Sequence, residues 1–234
     1  MGWCGTHGSG DAGRNAPAVR NLANVVAAEF LATAAVVSAL LHDSRLADRW
    51  TQPSALRDFR ISGLAGHLGR AVFNVERYLD APVPAGVDQI DAVRYFLTAG
   101  DPQAGPEDPT QRHIRARGEQ AAGTGATDLA DRFDAARARL EPRLADLPSE
   151  HPVLVFDRWA MPLDQCLITR LIELAVHLDD LAVSLGVPTP DIPDEAADVV
   201  VTTLARIARA HHGTVPLLRA LSRRERAPGV ITAF

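Results

Sequence analysis

The chain has 234 residues, 47% hydrophobic and 23% charged, which suits one large soluble domain or one domain with a small appendage. Its net charge of −5 speaks against a broad nucleic-acid groove. All 24 basic residues are arginine, which excludes lysine Schiff-base chemistry, and the two cysteines, Cys4 and Cys166, form neither a disulfide framework nor a zinc ribbon and suit a reducing cytoplasm.

Residues 1–15 are rich in glycine and polar groups and read as a disordered tail. Gly8 to Gly13 matches G-x-G-x-x-G, but no strand precedes it, so the dinucleotide-binding reading lacks its context. A helix is predicted from Pro17 to Leu41. The stretch Leu22–Leu41 within it is long enough to span a membrane, yet it carries Asn24, Glu29, Thr33 and Ser38. A carboxylate near a bilayer centre costs about 2.5–3.5 kcal/mol, so a buried bundle helix is expected, with no membrane partner and no export signal.

Trp50 to Phe59 reads as a turn-rich connector around Pro53-Ser54, and a second helix is predicted over Ile61–Leu79, ended by Pro82 and Pro84. Asp91–Thr98 suggests a short helix, Gly100–Thr110 a loop, and Gln111–Ala122 another helical piece. Thr127 is the expected N-cap of a helix whose apolar stripe is Leu129, Phe133, Ala136, Leu140, Leu144 and Leu147, kinked at Pro142. Val153 to Phe156 suits a short strand or extended arm. Pro162 suits the first turn of the next helix, which Gly186 and Pro188 end. Helices over Asp194–His212 and Val215–Arg224 complete an all-α chain. The expected fold is a four-helix bundle over residues 16–186 with a short helical C-terminal extension over 187–234.

The helix Leu163–Leu185 carries the most informative pattern. Cys166, Arg170, Glu173, His177, Asp180 and Ser184 fall on one narrow stripe of an otherwise apolar helix. Glu173 and His177 are one turn apart, so their side chains leave one face about 5–6 Å apart. Facing water, they form a solvated pair; facing the bundle axis, they form a site. His67 stands among Leu64, Leu68, Ala71 and Val75 on the core-facing stripe of the second helix. A buried imidazole needs a partner. A cation shared with Glu173 and His177 would supply one, as a two-histidine, one-glutamate set with an open position does in catalytic zinc centres. Cys166 lies roughly 10 Å along the axis from Glu173 and is too far to join them. His211-His212 suits helix capping, Arg223-Arg224-Glu225-Arg226 suits a solvated turn, and Glu29 is either an outer partner for a ligand histidine or a polar residue at a helix edge.

Two segments carry a family resemblance. Pro53-Ser54-Ala55-Leu56 followed by Phe59-Arg-Ile-Ser-Gly-Leu-Ala-Gly-His67-Leu68 resembles the "P-S-x-L … W-T-V-x-D-L-x-x-H-L" signature of mycothiol-dependent maleylpyruvate isomerase N-terminal domains. Arg170-x-x-Glu173-x-x-x-His177-x-x-Asp180-Leu181 is similar to that family's "R-x-x-E-x-x-x-H-x-x-D-L". Phe59 replaces the usual Trp, and Arg60 and Gly63 stand at the usual Thr and Asp positions. The resemblance implies a DinB/YfiT-like four-helix bundle, a metal triad of His67, Glu173 and His177, and a cytoplasmic actinobacterial enzyme that uses mycothiol. Asp180 of the same motif is the candidate cofactor contact.

The expected chemistry is that of a divalent cation, zinc, with water or a small-thiol sulfur at the remaining position. Such a thiol loses its proton and attacks an electrophilic small molecule, giving S-transfer, or isomerisation if the thiol later leaves. Arg170 and Arg158 are candidate catalytic clamps for a substrate carboxylate; the plainer reading of Arg170 is an ion pair with Asp180 or Glu29. The rival readings are a metal-dependent hydrolase, a specialised secondary-metabolism enzyme on the same bundle, and a non-catalytic binding or stress module. The last would form a homodimer through an apolar helix face, with its metal site empty or sealed from solvent.

Overall fold

The computed structural model describes residues 22–98 and 107–233. The sequence expectations for residues 1–15, for a helix start at Pro17 and for residues 100–106 of the 100–110 loop lie outside these residues. Helix α1 (Leu22–Leu41) buries Phe30, Ala34, Val37 and Leu41, a stripe at helical spacing, so it is a core helix of the bundle. No helix among the described residues is long and apolar enough to cross a membrane. A short helix α2 (Ser44–Asp48), which the sequence reading missed, follows under the Asp43 N-cap, whose carboxylate accepts from Arg45 N–H at 2.9 Å.

Helix α3 (Ile61–Asp80) buries Leu64, Leu68, Ala71, Val72 and Val75. Helix α4 (Ala92–Thr98) leads towards α5 (Pro109–Ala122), which starts two residues earlier than expected. Asp108 caps it by accepting from Thr110 and Gln111 N–H. Helices α3 and α5 cross almost backbone to backbone. A Cβ on Gly66 would lie 2.1 Å from the Gly118 carbonyl, and one on Gly118 would lie 2.5 Å from the Gly63 carbonyl and 3.4 Å from the His67 Cβ.

Helix α6 (Ala126–Asp146) buries Leu129, Phe133, Ala136, Leu140 and Leu144, while Leu147 is half-buried just beyond its end. The capping expectation for Thr127 fails: the helix begins at Ala126, Gly125 is its N-cap, and Asp128 instead accepts from the Thr124 N–H at 3.1 Å. The helix continues past Pro142 for one more turn.

Strands β1 (Pro152–Val155) and β2 (Trp159–Pro162) form an antiparallel hairpin, of which the sequence suggested only the first arm. Phe156 and Asp157 at its tip both take φ 53°, and Arg158 N–H closes the turn onto the Val155 carbonyl. Helix α7 (Leu163–Leu185) follows directly, with Pro162 at its N-cap and Gly186 ending it in the left-handed conformation, φ 67°. Helices α1, α3, α6 and α7 pack on one another as the four-helix bundle, with α5 laid on α3.

Helix α8 (Asp194–His212) packs on α7, α4 and α1 and adds Ala196, Val200 and Ile207 to the core. Helix α9 (Thr214–Ser222) and a 3-10 turn at Arg224–Arg226 complete the described chain. His212 Nε2 meets the Thr232 carbonyl at 2.8 Å and ties the last segment back to α8.

Candidate metal centre

The polar stripe of α7 faces inward. Cys166 and Arg170 are buried, Glu173, His177, Asp180 and Ser184 are half-buried, and the exposed residues of the same helix are Asp179 and Val183. Opposite the stripe stands His67 on α3. His67 Nε2 is 3.2 Å from Glu173 Oε2, and His177 Nε2 is 3.4 Å from the same oxygen. The two imidazole rings meet edge to face with centroids 4.7 Å apart. One donor atom from each residue falls within 4.8 Å of the other two, the one grouping of this kind among the described residues. The side chains of His67, Glu173 and His177 are 17%, 20% and 16% exposed, so the centre is sheltered but not fully sealed.

The second ring nitrogen of His177 is engaged as well. Nδ1 lies 2.8 Å from Asp180 Oδ2, which fixes the ring and aims Nε2 at Glu173. Asp180 therefore stands behind the histidine. Its own helix end is clamped: Ser184 Oγ donates to the Asp180 carbonyl at 2.6 Å and accepts from Ala55 N–H at 2.9 Å. The Pro53–Leu56 loop is thus stapled to the last turns of α7. Phe59 packs edge-on against the His67 ring at 6.0 Å, and the His67 Cβ abuts the α5 crossing at Gly118. His67 Nδ1 is buried without a hydrogen-bond partner.

The charges follow from these contacts. Burial opposes ionisation of Glu173, but the hydrogen bonds of His177 and His67 and the charge of Arg170 outweigh it and hold the carboxyl well below the ordinary glutamate range. Burial pulls His67 down and keeps it neutral. It also opposes the charge on His177, but Asp180 and Glu173 prevail and raise that imidazole to about 9. With Glu173 ionised and acceptor-only, the imidazole nitrogens facing it carry N–H protons. These are the protons a divalent cation displaces when it binds such a set. Two imidazoles and a carboxylate form a donor set that suits zinc or a similar ion.

Cys166 is buried and does not join the group; burial lifts its thiol to about 11. Arg170 is buried against neutral partners, donating to the Tyr95 hydroxyl at 2.7 Å and to Thr169 Oγ1 at 3.0 Å. The alternative ion pair with Asp180 or Glu29 does not form: Asp180 is taken by His177, and Glu29 lies by Glu195 and the Ala196 backbone at the start of α8. Arg158 is exposed at the hairpin tip, its guanidinium 4.5 Å over the Trp159 ring. Between the two arginines, Phe156 stacks on Tyr95 at 4.6 Å, so the tip and the buried guanidinium share one aromatic contact. Sequence reasoning missed the Tyr95–Arg170 bond, which joins residues 75 positions apart with no spacing signal. The Asp180–His177 bond was readable from its i,i+3 spacing.

The fold and centre define a helical bundle with a candidate two-histidine, one-carboxylate site between facing helices. The chain belongs to the mycothiol maleylpyruvate isomerase N-terminal domain family, whose model matches residues 26–182. Among solved structures it is similar to the mycothiol-dependent maleylpyruvate isomerase, with TM-score 0.51 and 17% identity over 80% of this chain and 69% of that one. A histidine-to-alanine mutant of the same enzyme gives TM-score 0.50 at the same identity and coverage. No curated protein sequence matches the chain.

Proposed function

We propose that the protein is a metal-dependent enzyme that uses a small thiol, mycothiol, for S-transfer to an electrophilic small molecule or for its isomerisation. The observation that carries this reading is the inward turn of the α7 stripe onto His67, which gathers three donor atoms within 4.8 Å while leaving the centre partly open. His67, Glu173 and His177 would hold the cation, which supplies Lewis acidity favouring the deprotonated form of a thiol beside it. Asp180 orients His177. Arg170 adds to the hydrogen bonds of His177 and His67 that keep Glu173 ionised, and is itself held by Tyr95 and Thr169, so its assigned role is positioning. Arg158, at the exposed hairpin tip, is the candidate contact for a substrate carboxylate.

Purified full-length protein is expected to carry about one equivalent of divalent metal, lost in His67→Ala and His177→Ala. Product analysis with an electrophilic carboxylate should show turnover only when mycothiol is present. Thiol-independent hydrolysis would replace this reading with that of a hydrolase, and metal-free wild type that takes up no added zinc would remove it.

A further inference from the structure

The groove between α3 and α5 gathers three guanidinium groups and no carboxylate. Arg70, Phe73, Asn74, Arg77, Arg117 and Gln120 line a cavity of about 240 Å³. Nearby arginines on α6 are paired: Arg139 with Glu76 at 2.8 Å, Arg143 with Asp80 at 2.7 Å and Arg132 with Asp128 at 2.9 Å. Arg70 and Arg117 differ. Both are half-buried, and among the described residues neither has a carboxylate or hydrogen-bond partner. Arg77 is exposed at the rim, its guanidinium 5.1 Å over the Tyr78 ring.

Unpaired like charges drawn together in a half-buried groove are unfavourable. Burial and then the charges of Arg117, Arg77 and Arg170 depress the Arg70 pKa. An oxyanion reverses that sign. Guanidinium forks pair two oxygens at once, and the Asn74 and Gln120 amides add neutral donors beside them. Phe73 offers an apolar wall for a short carbon body. The groove adjoins the candidate metal centre, since Arg70 follows His67 by three residues on α3 and its charge is felt at that imidazole.

We propose that the α3–α5 groove binds a small anion bearing a carboxylate or phosphate group, seated by Arg70 and Arg117 with Arg77 at its rim. The site does not require a cation at the triad, so its test is made with chelator present. The full chain is titrated with succinate, inorganic phosphate and, at matched ionic strength, chloride, and followed by calorimetry and thermal melting. Saturable binding of succinate or phosphate with a rise in Tm, absent with chloride, is the expected result, and the better of the two anions identifies the group. Arg70→Gln and Arg117→Gln should each weaken that binding by about tenfold or more. Arg112→Gln, on the exposed first turns of α5, should leave it unchanged. If Arg70→Gln fails to fold, Arg117→Gln and Arg77→Gln carry the comparison. No saturable response to either anion beyond chloride, or a response that all the groove variants retain, overturns the proposal.

Discussion

His177 is held at both nitrogens, by Asp180 at 2.8 Å and by Glu173 at 3.4 Å, and this double engagement fixes its ring plane. Removing the rear contact should let the ring turn. Asp180→Ala is expected to weaken zinc binding about 10–100-fold, as loss of an orienting partner does. Asp180→Asn keeps an acceptor and should fall between, while Asp179→Ala, which loses only an exposed bond to Thr189, should match wild type. Competition against a chromophoric chelator measures all three. The candidate donors were readable from sequence because helical spacing places Glu173 beside His177 and because an imidazole among buried leucines needs a partner. What spacing alone left open was which way the stripe faced, and the contact with α3 decided it. The Tyr95 partner of Arg170 was unreadable because it comes from a different helix with no spacing to mark it.

At the scale of elements, the α3–α5 crossing positions His67. A Cβ on Gly118 would press on the Gly63 backbone at 2.5 Å, and backbone cannot swing aside as a long side chain can. Gly118→Ala should cost about 2–3 kcal/mol in denaturant unfolding and weaken metal binding by displacing His67. Gly229→Ala, whose added methyl meets open space, should stay within about 0.5 kcal/mol. The long helices were predictable, since α3, α6, α7 and α8 follow apolar stripes and begin or end at proline and glycine. The shorter features were not. Helix α2 has five residues and only one buried side chain, Leu46, so it offers no periodicity to detect. Strand β2 is defined by its pairing with β1 and with the segment around Ile90, whose N–H donates to the Ala160 carbonyl. Thr127 looked like a cap by residue type, but the turn at Gly125 starts the helix before it.

For the whole molecule, the donors come from helices far apart in the chain, with 106 positions separating His67 from Glu173. The unfolded chain holds no such site, so a cation that binds there binds only the folded bundle. Zinc at a hundredfold excess over its Kd should add about 2.7 kcal/mol of stability, several degrees in Tm for a domain of this size. Thermal melts with zinc and with chelator should show the difference in wild type and lose it in His67→Ala.

The absence of lysine takes on a local meaning at Arg170. An ammonium group buried beside a phenol and a threonine hydroxyl, with no carboxylate in hydrogen-bonding reach, would readily shed its proton. A guanidinium does not, and the surroundings of Arg170 hold its pKa above the ordinary arginine value even against burial. The positive charge one turn from Glu173 is therefore a fixture across the whole physiological pH range. It biases the centre toward anionic ligands whatever the state of the medium.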